Sequence, residues 1–206
     1  MRMRHFIDSA KGITALAIVG MMAAYRQWGN TTALIYLGLH GTYGFLWVMK
    51  SRFFPDQSWE RPTGLAYGLA IWGGLALYLV APWIITSQAV QAPAWLLGLA
   101  VGLFGFGVFF HFAGDMQKHT SLKLQPGRLI VDGLMSLSHN INYFGEFLIY
   151  TAFALLAMHW APFVVLALYL AIIWIPNMVR KERMLSTMEG YAEYKRKSKI
   201  FFPFLF

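Results

Sequence analysis

The chain contains no cysteine in 206 residues and only nine Asp and Glu against 17 Lys and Arg. The first absence excludes disulfides, thiolate nucleophiles and cysteine-ligated metal sites. Charged residues of both signs reach 13%, about half the share usual in a soluble domain. No G-x-G-x-x-G follows a strand-like run, no glycine-rich loop ends in Lys-Ser/Thr, and no His-Glu-x-x-His occurs. A soluble dinucleotide-binding domain, a P-loop and a zincin-type centre are therefore excluded. The six histidines and nine acids form no metal signature, and no metal site is expected. No cleavable signal peptide is expected either, because the first apolar run leads straight into further ones.

What is abundant is apolar. Hydrophobic residues make up 58% of the chain, with 19 glycines, eight tryptophans and ten tyrosines, a composition that suits transmembrane helices. Six stretches approach the roughly 20 apolar residues that a bilayer core requires. They are Gly12–Tyr25 (extended at its start by the Ile7 region), Thr32–Met49, Leu65–Ile85, Ala92–Phe112, Asn142–Trp160 and Pro162–Met178. The last two are so close that they form an antiparallel hairpin. The basic residues alternate with these spans. Sixteen of the 17 fall on one side, from Arg2, Arg4 and Lys11 to the tail cations Arg180–Lys199, and Arg26 alone falls on the other. An alternating pattern is topology, and it argues against a nucleic-acid patch. The expected fold is an all-α, multi-pass integral membrane protein with about six transmembrane helices. Both termini are cytoplasmic, and a short cytoplasmic tail helix follows the last span. It forms one domain over residues 1–206, with N-terminal helices in 1–114 on the substrate side and a core in 115–206. The membrane is a bacterial inner membrane or one resembling the endoplasmic reticulum. Long, polar connections are confined to the cytoplasmic side, where a loop-built site is expected.

Polar residues at membrane depth are costly and are functional candidates. Glu146 follows Asn142 by four residues and His139 by seven, so the three share one helical face, with Tyr143 and Gly145 between them. His111 and Asp115 are also spaced i, i+4 and precede Lys118; such a pair suits either a cofactor ribose or phosphate or a solvated helix end. Tyr36, His40, Tyr43 and Trp47 form an aromatic stripe that suits packing or, through a phenol, proton donation.

The block Asn142-Tyr143-Phe144-Gly145-Glu146, together with Gly133-Leu134, the tail Lys181-Glu182…Glu189…Tyr191…Tyr194 and the ending Ile200–Phe206, resembles the steroid 5α-reductase family (the 3-oxo-5α-steroid 4-dehydrogenase C-terminal domain type). The similarity runs from about Asp115 to the end. It extends to the wider superfamily of bacterial sterol reductases and isoprenylcysteine carboxyl methyltransferases. The resemblance implies an NADPH-dependent oxidoreductase of lipid metabolism that reduces a conjugated C=C in a steroid, isoprenoid or other enone, with a site that opens to the cytoplasm. It assigns cofactor contacts to Asn142, Tyr143, Glu146 and Asp115, with His139, His111, Lys118, Arg128, Tyr191 and Tyr194 around them. The catalytic candidates are Tyr36, His40, Tyr43 and Asp8, the carboxylate nearest to the family's substrate-polarising acid. The implied partners are the lipid substrate and the membrane lipids, not nucleic acid. Two alternatives remain at this point. One is an S-adenosylmethionine-dependent methyltransferase of the isoprenylcysteine type, whose His-Pro-x-Tyr is replaced here by Asn-Ile-Asn-Tyr. The other is a non-catalytic membrane subunit of the same fold.

Overall fold

A computed structural model describes residues 1–205; Phe206, the last residue of the family-like ending, lies outside the described residues. The described chain is helical, without strands, and contains seven main helices. These are α1 (Met3–Ala24), α2 (Thr31–Phe53), α3 (Leu65–Ser87), α4 (Ala94–Leu124), α5 (Ile141–Leu156), α6 (Trp160–Leu185) and α7 (Tyr191–Lys197). Four of them, α1, α3, α4 and α6, are long and apolar enough to cross a membrane. These helices give the protein a multi-pass membrane character. Two of the six expected spans fall short of that standard for different reasons. Helix α2 has 23 residues, but its tyrosines, threonines and His40 dilute the apolar run. Helix α5 is apolar but only 16 residues long. The first span starts nine residues earlier than the apolar run suggests, which carries Lys11 inside the helix.

Proline chemistry explains two irregularities. Pro82 has no N–H to give to the Tyr78 carbonyl, and the preceding turn, Leu77–Leu79, tightens to 3-10 geometry. Pro176 likewise offers nothing to Ile172, and α6 widens into a π-type turn over Leu170–Trp174. A second π-type turn, Phe109–Ala113 in α4, has no proline nearby. It lies where α4 meets α5, as described below.

The helices are divided between two compact units. The first comprises Met1–Gly102 and Thr151–Val165, the second Leu103–Tyr150 and Leu166–Phe206. Helices α4, α5 and α6 each contribute to both units. In the first unit, the N-terminus is tied to the loop before α3: the Met3 amide donates to the Arg61 carbonyl at 3.1 Å and the Thr63 amide to that of Met1 at 2.8 Å. Arg2 and Arg4 meet Glu60 at 2.5 and 2.8 Å. The α5–α6 turn is tight, with the Ala161 amide bonded to His159 Nδ1 at 3.1 Å, as the hairpin expectation requires. In the second unit, the chain end folds back onto α5. Ser138 Oγ donates to the Phe201 carbonyl at 2.9 Å, and Asn140 Nδ2 to that of Ile200 at 2.8 Å. Phe201 and Phe202 then pack edge-on against Phe144 and Phe147. Phe201 and Phe202 thus dock, while Phe204 and Leu205 stay exposed.

Candidate functional site

In the second unit, two glycines set the geometry. A Cβ built on Gly145 would stand 2.6 Å from the Gly107 carbonyl oxygen, and one on Gly107 would stand 2.7 Å from the Gly145 oxygen. Only glycines permit this backbone approach of α4 and α5. It brings the π-type turn of α4 against the start of α5, and π-type turns are frequent at functional sites. His111 Nδ1–H donates to the Asn142 carbonyl at 3.1 Å, and Asn142 Nδ2 donates to Asp115 Oδ1 at 3.0 Å. His111 Nε2 lies 3.9 Å from the other Asp115 oxygen. His111, Asp115 and Glu146 are all buried. The His111–Asp115 pair and Asn142 therefore meet where α4 and α5 join, and Glu146 is buried one turn further along α5. Tyr143 lies beside them, accepting from Asn177 Nδ2 at 3.4 Å, with its ring 5.8 Å from that of Trp174.

His139, Tyr191 and Tyr194 belong to a second cluster, which fastens the tail. The buried His139 ring bonds through Nδ1 to Glu182 Oε1 and through Nε2 to Ser198 Oγ, both at 2.7 Å. Lys181 Nζ donates to the His139 carbonyl. Tyr194 stacks on the imidazole with centroids 4.2 Å apart and donates to the Met135 carbonyl at 2.7 Å. Tyr191 donates to Glu182 Oε2 at 2.6 Å. Burial and that bond to a carboxylate push the Tyr191 phenol up to about 12, so it stays a donor at neutral pH. Burial likewise holds the Tyr194 phenol above its usual range. Beside this cluster a cleft of about 920 Å³ opens between the loop around Gly127–Arg128 and the turn around Glu189–Gly190. Arg128, Tyr194 and Lys197 line it. Arg128 is exposed and bonds Gln125 at 2.8 Å, while Lys118 lies half-buried on α4. Gln117 shapes the loop, donating to the Asp132 carbonyl and accepting from the Leu134 amide.

The four catalytic candidates lie in the first unit: Tyr36, His40 and Tyr43 pack around the Phe153 ring, and Asp8 bonds elsewhere. Tyr36 and His40 Nδ1 are 2.9 Å apart, with the imidazole stacked on Phe153. Asp8 accepts from Ser51 Oγ at 2.7 Å and meets neither phenol in a recorded bond. Tyr43 instead meets Lys11, whose Nζ is 3.5 Å from the phenol oxygen. Lys11 is 5% exposed and Lys50 is 3% exposed, so two of the sixteen cations assigned to one side are buried in the protein. Lys11, Lys50, Glu182 and Ser198 were missed as site residues. Lys11 meets Tyr43 32 positions away, and Glu182 and Ser198 meet His139 43 and 59 positions away, whereas Lys50 meets the nearby Trp47 and Trp59. Among the described residues no group of three or more His, Asp or Glu is placed to hold a metal ion.

Comparison with protein families matches residues 61–199 to the family described as Protein of unknown function (DUF1295). No curated protein matches the chain.

Proposed function

The chain belongs to the DUF1295 family, and from that premise we propose that it is a membrane-embedded, NADPH-dependent reductase of a conjugated C=C in a lipid enone, of the steroid 5α-reductase type. The observation that carries the proposal is the buried Asp115–Asn142–His111 arrangement, with Glu146 one turn further along α5. The residues suit the cofactor in three respects. Two carboxylates and an amide at membrane depth can orient ribose and amide groups of a dinucleotide. The cleft lies within the volume range of ligand sites. Arg128 on its wall offers a cation to a 2′-phosphate, while Lys197 on the same wall is paired with Glu193 at 2.6 Å. NADPH, when bound, supplies a hydride. The protein's own part is to fix orientation and exclude water.

In this mechanism Asp115 holds the Asn142 side-chain amide and His111 holds its backbone carbonyl, so the Asn142 side chain is oriented before any ligand arrives. The His139–Glu182–Ser198 cluster holds α5, α6 and α7 together and keeps the cleft wall in place; His139, Tyr191 and Tyr194 act here as positioning residues. The basic surplus supports six spans with both termini and the cleft on the cytoplasmic side. The test is a titration of detergent-purified protein with NADPH, NADH and S-adenosylmethionine, with Glu146→Gln alongside. Stabilisation by NADPH that weakens in the variant is the expected result. Stabilisation by S-adenosylmethionine alone would overturn the reading in favour of methyl transfer, and no response to any of the three would leave a non-catalytic subunit.

A further inference from the structure

The tail end of the second unit is layered, and its contacts set the layers. Helix α6 is long and apolar enough to cross a membrane. Ile172, Ile173 and Ile175 stand exposed on it, followed by exposed Arg180 and Arg183. The change from apolar to basic surface falls level with Tyr143, which meets Trp174 and Asn177. The tail repeats the change in reverse order. The Lys199 carbonyl accepts from the His139 amide at 2.7 Å, and His139 also bonds Glu182 and Ser198, so α7 ends on the basic side of that level. Lys195 and Arg196 are exposed there. Phe201 and Phe202 lie on the apolar side, against Phe144 and Phe147. About 12 Å of helix separates Trp174 from Glu182, enough for a headgroup layer. Past Phe202 the backbone turns. The Leu205 amide donates to the Phe202 carbonyl at 3.2 Å, and Phe204 takes a left-handed φ of 69°, rare for a bulky side chain. The turn keeps Leu205 at the level of Phe202 and presents two apolar side chains outward, Phe204 at 78% and Leu205 at 69% exposure. Such strain persists where the surroundings offset it, and water offers these side chains nothing.

We propose that α7 and residues 199–205 form an interfacial anchor for anionic lipid, with Phe204 and Leu205 in the acyl boundary and the neighbouring cations on the headgroup phosphates. The charge pattern selects the occupant. Between Arg180 and Lys199 stand seven Lys and Arg and three Glu. Glu182 is engaged by His139 and Tyr191, Glu193 by Lys197, and Glu189 lies in the turn beside the cleft. Arg180, Arg183, Lys195, Arg196 and Lys199 therefore form a net positive layer next to an apolar tip. An anionic leaflet matches both parts, with phosphates for the layer and acyl chains for the tip. A nucleic acid or an acidic peptide would match the layer alone. Tyr194, Lys197 and Ser198 of the same tail line the cleft, so the leaflet also helps to hold the cleft wall. The inference does not depend on the reductase reading.

The chain has no cysteine, so Leu205→Cys gives a unique position for a spin label in the full-length protein. Nanodiscs of phosphatidylcholine alone are compared with nanodiscs of equal parts phosphatidylcholine and phosphatidylglycerol. The readout is collision of the label with oxygen, which concentrates in lipid, against collision with a water-soluble nickel complex. The Leu205 label should favour oxygen, and more strongly in the phosphatidylglycerol discs. A label at Glu189→Cys should read water in both. Lys195→Gln, Arg196→Gln and Lys199→Gln combined should abolish the difference between the discs. If the labelled protein fails to fold, the lipid that co-purifies with the unlabelled protein from a mixed membrane carries the decision. Each single cation removed should lower its phosphatidylglycerol enrichment about fivefold, the weight of one cation near an anionic surface. A Leu205 label that reads water in both discs overturns the anchor. A label equally deep in both discs, and unmoved by the combined variant, overturns the anionic preference and the proposal with it. Inorganic phosphate added to phosphatidylcholine discs should leave the label where it is. A shift as large as that from phosphatidylglycerol would make this a site for free phosphate and overturn the choice of lipid.

Discussion

The two compact units both carry polar groups at membrane depth, and they stabilise them with different materials. In the first, the Lys11 ammonium sits among ring faces, with Tyr43, Trp47 and Tyr78 around it and Lys50 on the other approach to Trp47. In the second, carboxylates sit among directional hydrogen bonds, Asp115 with Asn142 and Glu182 with His139 and Tyr191. Ring faces are broad, and their attraction falls gradually as a side chain shrinks. Hydrogen bonds are narrow, and losing one partner leaves the other buried and unsatisfied. The first unit should therefore tolerate conservative substitution and the second should not.

The largest effect should come from the helix crossing on which the second unit depends. Gly145→Val places side-chain atoms on the α4 backbone at Gly107 and His111, where no flexible side chain can yield. The expected loss is about 3 kcal/mol or more, read as a fall in the thermal or denaturant midpoint in detergent. Gly102→Ala, where a Cβ meets nothing within 4 Å, is the control and should leave the midpoint unchanged. If both variants behave alike, the close approach is not what fixes Asn142 against Asp115.

Next in size is a matched pair of removals. Glu182→Ala strips the carboxylate from a fully buried imidazole and from Tyr191; breaking a buried pair on one side costs about 3 kcal/mol. Trp47→Leu removes one ring from two buried ammoniums but keeps much of the apolar contact, and should cost about 2 kcal/mol. Equal losses would erase the contrast between the units; a larger loss for Trp47→Leu would reverse it.

Much of this contrast was visible in the sequence, but not its partners. The i, i+4 spacing of His111–Asp115 and Asn142–Glu146 is a local signal, and three of these four residues, His111, Asp115 and Glu146, are buried. Four apolar helices were legible from run length, and Pro162 and the His159-Trp160 turn marked the α5–α6 hairpin. The start of α1 was only partly legible, because Arg4, His5, Asp8, Ser9 and Lys11 interrupt the apolar residues there and the helix start is anchored by the Arg61–Thr63 backbone. That error hid Lys11. Asp8 was singled out by the family resemblance alone; its carboxylate accepts from Ser51, 43 residues away. No spacing rule reaches that far, and the same holds for Glu182 and Ser198 on His139. The π-type turn at His111 was illegible for a related reason: it comes from a crossing with another helix, not from a proline in its own.

The smallest effect sharpens the comparison at the edge of the second unit. Tyr191 is only half-buried, yet its phenol stands at about 12 because of burial and the bond to Glu182, against about 10 in an unfolded chain. A folded-state value above the unfolded one means that the native protein holds this proton more tightly. The stabilisation is therefore complete below pH about 10 and is lost as pH rises towards about 12. Tyr191→Phe has no such proton. The midpoint difference between wild type and Tyr191→Phe should thus be positive and flat from neutral pH to about 10, then shrink. The effect should be modest because solvent screens the group. A difference that grows with alkaline pH would show that Glu182 does not hold the phenol, and the directional account of this cluster would fail at its outermost bond.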